Sequence, residues 1–128
     1  MLPRMPLTEE IITSRYRITG YREDSIIVND TSYRQSLILS ATSLHCPWSV
    51  RSLPDLDSDS LEPVFSLGPE VVILGTGQRQ RFPGTEIMAL FARNRLGLEV
   101  MDTGALCRTF NILVAEGRNV VAAAILGD

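Results

Sequence analysis

Lysine is absent from this chain: all 12 basic residues among its 128 are arginine. That excludes Schiff-base catalysis, a Walker-type phosphate loop and a Ser-Lys dyad, each of which needs a primary amine. Histidine occurs once, at His45, so one copy of the chain cannot build a His-rich metal site. Cysteine is scarce too. Cys46 and Cys107 carry no metal-ligand spacing; parity permits a disulfide, but in a cytoplasmic chain both stay reduced. Long apolar runs are missing. The longest, Val120 to Leu126, falls far short of the roughly 20 residues of a membrane span. The start of the chain holds Pro3 and Pro6 and no apolar h-region, which is not a secretory signal. The expectation is a cytoplasmic protein without a transmembrane segment. Positive charge is not in excess either. A net charge of -3 and a pI near 5.1 argue against a general nucleic-acid binder, as does the absence of an aromatic stacking platform.

What is present is ordinary for a globular protein: 45% hydrophobic and 21% charged residues. The length suits one domain with a core that needs no metal or disulfide. Residues 1–14 read as a loosely held leader, and residues 15–128 as a single α/β domain. Tyr16, Ile18, Ile26, Val28, Leu37 and Leu39 sit among polar neighbours at even spacing, the mark of half-buried strands. Turn formers at Gly20–Asp24 and Asn29–Ser32 divide them into a meander over Arg15–Tyr21, Ser25–Val28 and Tyr33–Ser40. Pro47 makes Leu44–Val50 an edge or irregular strand, with Trp48 packed in the core or over the sheet edge. A short helix through Leu61–Leu67 follows, capped from Asp57–Asp59. Pro63 is compatible only with its first turn.

The pattern changes at Gly68. Glu70–Leu74 is a continuous β-branched run, expected to be covered on both faces. Ile87, Leu90 and Phe91 have helical spacing within Thr85–Leu96, with Gly97 as the stop. A strand at Leu98–Met101 precedes a helix that begins at Asp102 or Thr103. Leu106, Phe110, Leu113 and Val114 share one face of it, and Gly117 ends it. Asn119–Leu126 is the last strand. Strand, helix, strand, helix, strand predicts a βαβαβ half with parallel strands. The expected fold is therefore a three-layer α/β domain. A central mixed β-sheet combines that C-terminal half with the antiparallel N-terminal meander.

Two strands end in similar turns, Gly75-Thr76-Gly77 and Asp102-Thr103-Gly104. Ligands of open α/β sheets gather outside the carboxyl ends of strands. The candidate pocket is a rim of Gly75, Thr76, Gly77, Arg79, Asp102, Thr103, Arg108 and Asn111. In Gly75–Gly84 the glycines allow backbone N–H groups to approach an anion, and Arg79 and Arg81 add bidentate donors. Alternatively the segment is a tight turn with two solvated arginines. The dinucleotide fingerprint fails at Gln80. Asp102-Thr103-Gly104 matches the aspartic-protease tripeptide, which would require a homodimer, or else it is a helix cap. Cys107 lies near a helix N-terminus, where a thiolate is favoured, or it is simply a small buried residue. Arg108 and Asn111 either face the rim or satisfy loop backbone groups. No complete catalytic set, metal site or cofactor motif emerges.

The ordered set Pro69-Glu70-Val71-Val72-Ile73-Leu74-Gly75-Thr76-Gly77, Gln78–Pro83, Gly97-Leu98-Glu99-Val100-Met101-Asp102-Thr103-Gly104-Ala105, Cys107–Leu113 and Glu116-Gly117-Arg118 resembles a widespread family of unknown function. Its eukaryotic members include the mitochondrial respiratory complex I assembly factor three. The likeness runs from about Tyr16 to Leu126. It implies a compact three-layer α/β fold and a role in protein interaction or complex assembly rather than turnover; with no cofactor motif in the residues, no cofactor is expected. A small anion bound at the rim is the competing expectation. The exposed edges of the mixed sheet are the expected docking surface.

Overall fold

In a computed structural model, which describes residues 15–127, two sheets share the front half of the chain. Strands β1 (Ile18–Arg22), β2 (Ser25–Val28) and β3 (Thr31–Tyr33) form an antiparallel meander. Asn29 and Asp30 both adopt positive φ, 49° and 69°, in the two-residue turn between β2 and β3. That conformation matches the twist of the flanking strands, and asparagine and aspartate tolerate it. The Asn29 amide also binds the neighbouring chain: its Oδ1 accepts from Arg17 N–H and its Nδ2 donates to the Arg15 carbonyl.

The predicted third strand, Tyr33–Ser40, is in fact two strands. β4 (Leu37–Leu39) leaves the small sheet and joins a larger one with β5 (Leu44–His45), β6 (Val71–Gly75), β7 (Gly97–Met101) and β8 (Val120–Ala124). The chain changes sheets at Ser36. Its hydroxyl donates to the Leu126 carbonyl at 2.9 Å and accepts from Leu126 N–H at 2.8 Å, and its carbonyl accepts from Trp48 N–H. These bonds replace ladder pairing where it stops.

The large sheet runs β5-β4-β8-β6-β7. β6 lies between β8 and β7 and is parallel to both, whereas β4 is antiparallel to β8. Alternation along the strands splits the core in two. Leu37, Leu39, Val71, Ile73, Val120, Ala122 and Ala124 face one way, and Ile38, Val72, Leu74, Val121 and Ala123 the other. The first face is covered by helix α3 (Thr103–Ala115) and the small sheet; the second by α1 (Ser58–Phe65) and α2 (Thr85–Arg93). The fold is thus the expected three-layer α/β domain with a mixed sheet. The helix faces follow from chain direction. β6 to β7 steps outward through α2, whereas β7 to β8 steps back across β6 through α3. A constant crossover hand places those helices on opposite faces.

Two helix details depart from expectation. Pro63 lies inside α1 rather than in its first turn, because the helix starts at Ser58 behind the Asp57 cap. The lost N–H bond is offset by burial of Leu61 and Val64 on the same helix. Gly97 does not stop α2; it opens β7. Arg95 takes the left-handed position, φ 57°, while its N–H binds the Ala92 carbonyl and Leu96 N–H binds the Phe91 carbonyl. That is a Schellman stop, with Leu96 and Phe91 in the same core providing its hydrophobic contact. Gly117, φ 79°, ends α3 as expected. The leader, residues 1–14, lies outside the described residues.

Candidate functional site

The carboxyl ends of β6 and β7 are tied together. Thr76 N–H donates to the Met101 carbonyl at 3.0 Å, and Thr103 N–H to the Gly77 carbonyl at 2.8 Å. Thr76, Gly77, Asp102 and Thr103 therefore do share one rim. Their polar side chains, however, serve mainly to build it. The Thr76 hydroxyl donates to the Arg79 carbonyl and accepts from Arg81 N–H, so the Gly75–Gly84 segment is wound around it. Gln80 Nε2 reaches the Val100 carbonyl at 2.8 Å and pins the loop to β7. Asp102 Oδ1 accepts from Ala105 N–H at 2.8 Å, the geometry of an N-cap. Of the two readings of that tripeptide, the structure has the cap.

Gly75 and Asn111 do not reach the rim. Gly75 is buried where α3 crosses β6, and a Cβ there would lie 2.7 Å from Leu106 Cδ1. The glycine permits close approach of helix and strand. Asn111 lies two helical turns beyond the cap and holds β1: Oδ1 accepts from Ile18 N–H, and Nδ2 donates to the Ile18 carbonyl. Arg108 donates to the Tyr21 hydroxyl at 2.9 Å. The Tyr21 ring lies over Gly104, where any Cβ would meet its hydroxyl at 2.9 Å.

Two open cavities flank Gly77 and Gln78. The smaller, about 420 Å3, lies over the start of α3 and includes Tyr21, Asp102, Thr103, Gly104 and Arg108. Within it Thr103 is buried, and its hydroxyl has no hydrogen-bond partner among the described residues. The larger, about 640 Å3, lies between the β1–β2 turn and the ends of β6 and β8. It gathers Thr76, Gly77, Arg79 and Arg81 with Glu23, Asp24, Arg34, Ser52 and Gly127. The last five were not singled out from the sequence. Glu23 and Asp24 read there only as turn formers, and Arg34 as a polar residue inside a strand. Only docking of the small sheet on α3 carries them to the rim.

The remaining candidate groups lie elsewhere. Cys107 is buried, and that burial pushes its thiol up to about 12 against a weak opposing pull from Arg108. Desolvation also raises Cys46, whose Sγ lies 3.6 Å from the Gln35 carbonyl. Neither is an activated thiolate. Trp48 is core, its Nε1 donating to the Ser60 carbonyl. Among the described residues no three His, Cys, Asp or Glu side chains cluster as metal ligands, and no helix is long and apolar enough to cross a membrane.

Comparison with known proteins agrees with this architecture. A solution structure from Xanthomonas campestris superposes with a TM-score of 0.81 at 38% identity, covering 88% of this chain and 85% of that one. A 13 kDa major membrane protein of Francisella tularensis subsp. holarctica is 32% identical over 91% of this chain and 95% of its own length. The human NADH dehydrogenase [ubiquinone] 1 alpha subcomplex assembly factor 3 is 36% identical over 95% of this chain and 67% of its own length. Residues 18–125 match a family described as protein of unknown function (DUF498/DUF598), and the chain belongs to that family.

Proposed function

We propose that the protein is a non-enzymatic interaction component that helps assemble a larger complex. The observation that carries this reading is the 36% identity to an assembly factor across 95% of the chain. The rim chemistry supports it: the Thr76 hydroxyl and the Asp102 carboxylate are engaged in holding the fold.

The docking surface in this reading is the outer edge of β7. Met101 turns its carbonyl toward β6, where Thr76 N–H meets it, so Leu98 and Val100 turn their backbone groups outward. Gln80 covers the Val100 carbonyl; the N–H of Leu98 and of Val100 remain toward the open side. An extended partner segment adds to such an edge by backbone hydrogen bonding. Leu98→Pro removes one of those donors without touching the β6 ladder. Cross-linking at endogenous level in the native cell tests the reading. A partner recovered in fixed ratio with the native chain, and lost with Leu98→Pro, is the expected result. Recovery of the protein alone, or a partner indifferent to the substitution, would overturn it.

A further inference from the structure

We propose that the larger cavity is a binding site for a small phosphomonoester that also carries hydroxyl groups. Three arginines from two parts of the chain line it: Arg34 from the end of β3, and Arg79 and Arg81 from the loop after β6. Arg79 and Arg81 make no ion pair among the described residues, and Arg34 has only a loose contact with Asp24 at 3.9 Å. Three guanidinium groups against the two carboxylates of Glu23 and Asp24 leave the cavity with an excess of positive charge, and the two arginines without an ion pair are open to an anion. A phosphomonoester brings close to two negative charges and three acceptor oxygens, which suits three forked donors better than one carboxylate does.

The loop backbone adds an independent observation. The N–H groups of Gly77, Gln78 and Arg79 have no acceptor among the described residues. Gly77 adopts φ 98°, a conformation that an L side chain would strain. Successive free amides in a turn with a left-handed residue form an anion-binding concavity. The same cavity carries Glu23, Asp24 and Ser52, which accept from hydroxyl groups and disfavour a bare polyanion. Its volume, about 640 Å3, lies within the range of small-molecule sites. Its position also fits: it lies outside the carboxyl ends of the parallel strands β6 and β8, the end of the sheet at which open α/β folds bind ligands.

The test is an amide NMR titration of the full chain with ribose 5-phosphate, inorganic phosphate and ribose as probes. Saturable shifts at Gly77, Gln78 and Gly127 with ribose 5-phosphate, weaker binding of inorganic phosphate and none of ribose support the proposal. Arg79→Gln and Arg81→Gln alter exposed side chains and leave the fold intact. Each should weaken binding by about tenfold, the worth of one charge-assisted hydrogen bond. Arg79→Lys should recover part of that loss. Absence of saturable binding, shifts confined to another region, or affinity unchanged by both glutamine variants would overturn it. Equal affinity for inorganic phosphate would overturn the assignment to a hydroxylated ester.

Discussion

Asn111 grips Ile18 with both ends of its amide. Nδ2 donates to the Ile18 carbonyl at 2.7 Å, and Oδ1 accepts from Ile18 N–H at 3.0 Å. An asparagine on a helix thus imitates the next strand of the small sheet, at the point where β1 meets α3. The ladder register shifts between Ile18 and Gly20, so β1 is irregular there. With the bond from Arg108 to the Tyr21 hydroxyl, this pair forms a polar link between the meander and α3, beside the apolar contact of Ile18, Ile26 and Val28 with Phe110.

Asn111→Ala leaves two partly buried backbone groups without partners. We expect a loss of about 2 kcal/mol in denaturant unfolding, with amide exchange accelerated first in β1 and β2. Asn111→Asp should be comparably destabilising at neutral pH, because a carboxylate oxygen then faces the Ile18 carbonyl. Part of the stability should return on acidification, as the protonated acid can donate again. Uniform loosening of the whole chain would contradict this assignment.

Gly75→Ala places a methyl group 2.7 Å from Leu106 Cδ1. Overpacking of this kind costs about 1–3 kcal/mol. Shortening the neighbour should relieve it, so the double variant Gly75→Ala, Leu106→Val is expected to be more stable than the sum of its single changes. Additivity in that double-mutant cycle would show that the two groups do not meet.

Cys107 gives the alkaline limb of stability a defined sign. Its thiol ionises near 9.0 when unfolded and at about 12 when folded, because burial disfavours the thiolate. Stability from this group is complete below pH 9 and declines as pH rises from 9 toward 12. Unfolding measured across that window should fall less steeply for Cys107→Ala than for the native chain. In native protein near pH 8, a thiol reagent should label Cys46 ahead of Cys107, since Cys46 is only half-buried.

Glu70 acts at the acidic end. Its carboxylate accepts from Arg118 Nε at 2.9 Å and from Asn119 N–H at 3.0 Å, and these bonds lower its ionisation below 4.5. The contribution is present above pH 4.5 and is lost as pH falls through the lowered value. Because the pair is exposed, the effect should be small and weakened by salt. An NMR titration of Glu70 should move toward the unperturbed value in Arg118→Gln. An unchanged titration there would remove the arginine as its cause.

Much of the back half was legible in residue order. The β-branched run before Gly75, the helical spacing of Ile87 and Phe91, the cap at Asp102 and the stop at Gly117 are local signals, and local backbone chemistry enforces them. The stop of α2 was misread for an equally local reason: Arg95 occupies the left-handed position where glycine is the usual sign. The meander was legible as strands but not as a separate sheet. The break at Ser36 depends on its bonds to Leu126, which lies ninety positions away in the chain.

The rim shows the same division. Thr76, Gly77, Asp102 and Thr103 could be brought together from the sequence because strand ends in a βαβαβ half fall on one side of the sheet. Asn111 could not be separated from them, since its partner Ile18 lies far away in the chain. Nor could Arg34, Glu23 and Asp24 be added, because only the docked meander carries them to the cavity. Periodicity, capping chemistry and composition act over a few residues, and they determined most of the elements, the α/β layering and the exclusion of lysine chemistry and of a His-rich metal site. Contact between segments far apart in the chain depends on how two faces pack, which no local pattern encodes. The tertiary structure alone therefore decided which side chains hold the fold and which are left exposed at the rim.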